Sequence, residues 1–362
     1  MNTHSRSKTD VAPKRRFARL SSIVTLAMTD RVALLTLLVF ILVLVFGVLG
    51  NAGVLLAPFN ASYMVSSLIS LVPVALLALA ETFVILSGRS GIDLSVGAMV
   101  SLGGMVFAFL VGPQHWPVVL AGAVTIVAAG LMGSLNGLLV GFLQFPPLIA
   151  TLSTAYIFGS VAVFSSGGAS ISDARVAATN SLTSSIRLGG NLFLPVDVLT
   201  VLLPSIVICW LALARTRWGR SLYAIGTNDV AAKYATVSVR RTRWSAYVAS
   251  GLLCGVAAVV NVAQFASAQP DAGSAGNGMA LPAITIAVLG GVAIQGGVGR
   301  IGGTVIAGLL ITWLNAALLI TFSGSAGPRA QLLTLGVLLI GAVLLNNYSK
   351  VRVARARVDD LV

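Results

Sequence analysis

The chain has 362 residues, of which 57 % are hydrophobic and only 9 % charged. A soluble domain carries about 25 % charged residues. A chain this apolar cannot cover a water-facing surface, and it is too poor in polar residues to be disordered. A formal net charge of +13 resembles a nucleic-acid signal until the charges are located. They fall in short clusters between apolar runs, which is the pattern of topology signals in a polytopic membrane protein.

Taken in chain order, apolar runs long enough for a membrane helix fall at 32–50, 63–86, 94–111, 117–142, 147–165, 196–214, 244–265, 282–296, 302–320 and 330–347. The eighth is short and flanked by glycine. The alternation of a transmembrane barrel is missing, so helices satisfy the backbone in lipid. The expected architecture is an all-α polytopic membrane protein of about ten transmembrane helices. A basic tail (1–31) precedes the membrane domain (32–347), and a second basic tail (348–362) follows it. With the N-terminus in the cytoplasm, all but Arg175, Arg187 and Arg329 of the 23 lysines and arginines lie inside. The positive-inside rule expects this split, and losing one span would spoil it downstream. Both termini are therefore expected in the cytoplasm, after an uncleaved first helix, with the basic tails on anionic lipid.

Catalytic chemistry finds little support. A phosphate-cradling loop needs Gly-Lys-Ser/Thr, but Lys8, Lys14, Lys233 and Lys350 follow Ser7, Pro13, Ala232 and Ser349. His4 lies in a tail and His115 in a short loop, so no triad or metal cluster forms around them. Cys209 and Cys254 fall inside apolar runs and read as small core residues. The chain is expected not to be an enzyme, and neither polar stretch (166–195 outside, 215–243 inside) is expected to form a domain.

Polar residues inside the spans are the candidates for a pathway. Glu81, the sole glutamate, is either a pathway or proton-linked group or a hydrogen-bonded carboxyl tying helices together. Asn136, Thr151, Asn261, Gln264 and Asn315 either line a route for a hydroxylated solute or join helices, as do Ser153 and Thr154. Spans two and three are joined by Ser87-Gly88-Arg89-Ser90-Gly91-Ile92-Asp93-Leu94-Ser95-Val96-Gly97. It reads as a tight reversal in which Asp93 caps the next helix and Arg89 pairs with Asp93. A second glycine-rich turn spans Gly290 to Gly303, so the helix–turn–helix of 63–111 is faintly repeated at 282–320.

The inner stretch Ala224-Ile225-Gly226-Thr227-Asn228-Asp229-Val230-Ala231-Ala232-Lys233-Tyr234-Ala235-Thr236-Val237 reads as a short helix capped by Asn228, with Asp229 at the positive end of its dipole. Such a helix either docks into a cleft on a partner or rests on headgroups.

Three of these segments carry a resemblance: Glu81 to Gly97, Ala224 to Val237 (in the form A-I-G-x-N-x-x-A-A), and Leu281-Pro282-Ala283-Ile284 to Gly303. Phe145-Pro146-Pro147-Leu148-Ile149-Ala150-Thr151-Leu152 is a weaker fourth. Over roughly residues 63–345 the chain resembles the permease subunits of bacterial ATP-binding-cassette importers of the ribose, xylose, arabinose and galactose type. The resemblance implies an inner-membrane permease, paired with a second permease chain and fed by a periplasmic sugar-binding protein. It implies no cofactor in this chain, ATP and Mg being held by a separate ATPase that docks on the loop 215–243 through Gly226, Asn228, Asp229, Ala231 and Ala232. The sequence departs from the family at Thr236, where glycine is usual, and at Arg89-Ser90, where Gly-Gly is commonest. A related permease for a polyol, nucleoside or branched-chain amino acid, an ion-coupled carrier using Glu81, and a non-transporting membrane protein are the rival readings.

Overall fold

The computed structural model describes residues 31–273 and 278–359, with side chains described as far as 344. The basic N-terminal tail, apart from Arg31, and the side chains of the C-terminal tail lie outside the described residues. Among the described residues, eight helical segments are long and apolar enough to cross a membrane. Two shorter apolar helices stand where the third and eighth runs were expected.

The first span is α1 (Arg31–Asn51). The second run is broken at Ser67 into α2 (Ala61–Ser66) and α3 (Leu68–Leu86), the latter buried along most of its length despite Pro73. Then come α4 (Val96–Val111), α5 (Val118–Gly137) with a π-helical extension Leu138–Phe142, and α6 (Pro147–Ser166). The polar segment after α6 folds into α7 (Ala174–Ala178), a 3-10 turn (Thr179–Thr183) and an antiparallel hairpin, β1 (Ser185–Gly189) and β2 (Leu192–Pro195). It is too small to be a domain, but Asn180 anchors it by donating to the Ala263 carbonyl at 2.9 Å.

After a π turn (Val198–Leu202) comes α8 (Leu203–Arg215), then α9 (Arg217–Thr227) and α10 (Asp229–Tyr234). The inner stretch expected to hold one short helix thus holds two. Thr216 caps α9 by accepting from the Gly219 amide at 3.1 Å, a signal the sequence reading did not use. The chain returns through α11 (Val239–Phe265), α12 (Ala280–Leu289), α13 (Ile301–Thr321) and α14 (Ala326–Asp359).

The hub is α11, which packs on α3, α4 and α5. Glycines set how closely it approaches α5. A Cβ on Gly251 would collide with the Ala129 carbonyl, and one on Gly133 with the Tyr247 carbonyl. Such backbone-to-backbone packing holds helices together where lipid removes any hydrophobic drive between them. At ten residues α12 is about 15 Å long, half the hydrocarbon thickness. It stops because Gly290 packs directly on the backbone of Gly303 and Thr304, while Gly291 turns at φ 97°. The helix–turn–helix units α3–α4 and α12–α13 differ in helix length, but their glycine turns meet.

Candidate functional site

The meeting point of those turns is also where the inner stretch 224–237 lands. Gly226, at the end of α9, sits so close to the α3 end that a Cβ there would collide with the Leu86 carbonyl and the Gly297 amide. Likewise a Cβ on Gly88 would lie 2.9 Å from Gly226 Cα, and one on Gly296 would strike Gly88. The Gly297 amide donates to Leu86 O at 3.1 Å, and the Tyr223 hydroxyl donates to Gly299 O at 2.8 Å. Three segments far apart in sequence therefore share one backbone-to-backbone junction. Leu86, Leu222, Ile225, Ala232, Val292 and Ile301 belong to one continuous apolar core around it.

Arg243 locks the junction. Its side chain is 1 % exposed, and Nη2 donates to Asp229 Oδ1 at 2.7 Å. The same guanidinium donates from Nη2 and Nε to Ser87 O, at 3.1 and 3.4 Å. One buried cation thus links the first residue of α10 to the carbonyl that ends α3. The C-terminal end of a helix carries partial negative charge, so both partners suit it. Sequence reasoning placed Arg243 in a solvated loop. Its helix starts five residues earlier than the expected 244, because this charge is neutralised internally.

The cap on α10 is as expected: Asn228 Oδ1 accepts from the Val230 and Ala231 amides at 2.9 and 3.0 Å. The outward surface is not the one the five candidate residues describe. Ala232 is buried, Gly226 is in the junction, and Asp229 turns towards Arg243 with 35 % of its side chain exposed. Ala231 and Lys233 are exposed, and the large exposed apolar groups are Val230 at 63 % and Tyr234 at 87 %. Sequence reasoning missed that pair. Its signal was the i, i+4 spacing of apolar residues on a helix whose outer face no described residue covers.

Glycine-type backbone occurs where the sequence departs from the family pattern it resembles. Arg89 (φ 58°), Ser90 (φ 52°) and Thr236 (φ 63°) are all left-handed, a region costly for L side chains and most of all for a β-branched one. Arg89 is held there by Gln144, whose Oε1 accepts from Nη1 at 2.7 Å; the expected pairing of Arg89 with Asp93 is not made, because the left-handed turn aims Arg89 at the end of α5. Thr236→Gly is expected to stabilise the α10 end by about 1 kcal/mol, seen as roughly fivefold slower hydrogen exchange at the amides of α10.

Three of the six expected pathway residues are brought together, in a closed polar knot between α3, the α3–α4 turn, α5 and α6. Glu81 Oε2 accepts from the Asp93 amide at 3.3 Å. Asp93 Oδ1 accepts from the Ser95 amide and hydroxyl at 2.9 and 2.6 Å, so Asp93 satisfies the approach to α4 rather than its first turn. Asn136 Nδ2 donates to Ser95 Oγ at 2.7 Å and its Oδ1 accepts from Thr154 at 2.6 Å. Thr151 accepts from the Leu94 amide at 3.2 Å. Glu81, Asp93, Asn136 and Thr151 are all buried. The remaining three stand apart. Asn261 is buried on α11, Gln264 donates to Asp197 Oδ2 and Ile69 O (both 2.8 Å) near the hairpin, and Asn315 accepts through its backbone carbonyl from Gln331 at 2.9 Å.

A family described as the branched-chain amino acid transport system / permease component matches residues 63–345, which contain the whole junction. The chain belongs to this permease family. The autoinducer 2 import system permease protein LsrD of Photorhabdus luminescens is 34 % identical over 287 residues, 78 % of this chain and 82 % of that one. The ribose import permease protein RbsC of Bacillus subtilis is 36 % identical over 271 residues, 75 % and 80 % of the two chains. The D-allose transport system permease protein AlsC of Escherichia coli is 34 % identical over 271 residues, 75 % and 79 %. No solved structure matches. As a member of this family, with eight helices among the described residues long and apolar enough to span a membrane, the chain is a multi-pass protein of the bacterial inner membrane and a transporter component, not a catalytic enzyme.

Proposed function

We propose that the chain is the permease subunit of an ATP-driven importer that carries a monosaccharide of the pentose or hexose class inward. In this reading a separate ATPase, which binds ATP and Mg, grips α10 from the cytoplasm. A periplasmic binding protein delivers the sugar, and a second permease chain completes the pathway. The observation that carries the reading is the junction: a short capped helix that exposes Val230 and Tyr234 beside Lys233 is rigidly joined through glycine backbone and Arg243 to both helix–turn–helix units. A push on Val230 and Tyr234 moves the end of α3 and the α12–α13 turn together, because the glycine contacts are backbone on backbone and the Arg243 side chain that adds to them is buried and held at both partners. Relatives named for D-allose, ribose and autoinducer 2 support a sugar-like solute, while the family description keeps a branched-chain amino acid as the alternative.

The knot around Glu81 favours the tie over the proton-linked group. An ion-coupled carrier needs a carboxyl that reaches both sides in turn, whereas Glu81 is fully enclosed and already accepts from the Asp93 amide. Affinity capture of the tagged permease from native membranes is expected to retain an ATPase subunit, and Tyr234→Asp to reduce its yield about tenfold. Such a loss corresponds to about 1.4 kcal/mol, a modest share of the cost of placing a charge against an apolar cleft. Unchanged yield would move the docking surface away from α10.

A further inference from the structure

On the same end of the bundle as α10, but on its flank, a groove of about 700 Å³ opens between the end of α5, α9 and the start of α11. Leu138, Phe142, Trp218 and Trp244 supply its apolar walls, with Arg241 and Thr242 beside them. Both indoles are pinned by internal bonds, Trp218 Nε1 to Ser245 Oγ at 2.7 Å and Trp244 Nε1 to Ser134 Oγ at 3.0 Å. Their N–H groups are therefore spent, and what they offer the groove is aromatic surface. Arg241 is exposed and has no ion pair among the described residues, and no acidic side chain lines the groove.

A second feature leads into it. Val127, Leu131, Leu135, Leu138 and Phe142 are all exposed and recur every three or four residues, so they form one apolar stripe down a single face of α5. The stripe runs from mid-membrane to the groove. Tryptophan at the end of a spanning helix marks the headgroup level of a bilayer, and a basic pocket between spanning helices on the positively charged side suits an anionic headgroup.

We propose that this groove is a binding site for one anionic phospholipid. Its phosphate sits against Arg241 and Thr242, its glycerol lies between Trp218 and Trp244, and one acyl chain follows the α5 stripe. The groove wall on α11 begins two residues before Arg243, so an occupied site braces the helix start that carries the junction lock. A zwitterionic lipid shares the stripe but not the net charge, and the exposed Arg241 at the end of the stripe favours an anionic headgroup there.

Native mass spectrometry of the full-length permease, released from detergent with equal dioleoyl phosphatidylglycerol and dioleoyl phosphatidylcholine, tests this. One phosphatidylglycerol adduct is expected at least fivefold above phosphatidylcholine. Arg241→Gln is expected to bring it down to the phosphatidylcholine level, Arg241→Lys to retain it, and Arg220→Gln, outside the groove, to leave it unchanged. Equal retention of the two lipids by the unaltered protein, or full phosphatidylglycerol retention by Arg241→Gln, would overturn the proposal. So would a photoreactive residue at position 138 in native membranes that captured an ATPase or a second permease chain instead of lipid.

Discussion

Arg243→Met is expected to lower ATP-driven uptake by ten- to a hundredfold while leaving the protein folded and in the membrane. Methionine fills a comparable apolar volume, so the helix start keeps its packing. What goes is the ion pair to Asp229 and both donors to Ser87 O. Loss of such a buried link costs about 3 kcal/mol, less where one partner is partly in water, as Asp229 is. That cost weakens the attachment of α10 to the α3 end. An ATPase would then move α10 without moving the membrane helices, so hydrolysis should continue while uptake falls. The partner change is predicted to be worse. Asp229→Leu leaves a fully buried guanidinium without its anion, and an unpaired buried charge costs more than a missing pair. The double variant Arg243→Met/Asp229→Leu should therefore transport better than Asp229→Leu alone, a non-additivity that a double-mutant cycle measures directly. Additive losses would mean that the two side chains do not act as a pair.

Gly226→Val is expected to reduce uptake at least tenfold, for a different reason. At this position the new side chain would collide with main chain, namely Leu86 O and the Gly297 amide. Main chain at a helix end and in a packed turn cannot yield as a side-chain tip would, so α9 and α10 must lift away from the turns. The Gly297 amide would lose its bond to Leu86 O, and Tyr223 would be drawn off Gly299 O. Gly226→Ala should already show a clear loss, because the first added carbon is the one that collides. Hydrogen exchange at the amides of 86–91 and 296–299 checks the account: both turns should open together in Gly226→Val. Opening of α10 alone would contradict the shared junction.

Local signals were legible in the sequence. Asn228 as a cap, proline at the start of α6 and the glycine punctuation after α3 and α12 each depend on neighbours a few residues away. The apolar runs gave the class of fold, because chain composition alone decides which residues tolerate lipid. Arg243 escaped because its partners, Asp229 and Ser87, are 14 and 156 residues distant, and a lone arginine beside Arg240 and Arg241 looks like one more topology charge. The convergence of Gly88, Gly226 and Gly296 was hidden for the same reason: a glycine needed for close approach and one needed for a turn are identical in sequence. The resemblance put Ala232 on the docking side, yet its small side chain serves the inward face, and Val230 and Tyr234 stand on the outward one. For the pathway candidates, type alone could not separate Glu81, Asn136 and Thr151, which share one closed knot, from Asn261, Gln264 and Asn315, which do not.

The account stands on the claim that this chain moves its solute only when a separate ATPase drives it through α10. Uptake of radiolabelled sugar into proteoliposomes measures that claim most directly. The permease would be supplied with its ATPase and binding protein, or reconstituted alone under an imposed proton gradient. The expected result is concentrative uptake with ATP, none with the gradient, and Glu81→Gln within threefold of the unaltered protein in the ATP-driven assay. Accumulation by the permease alone under the gradient, abolished by Glu81→Gln, would contradict it.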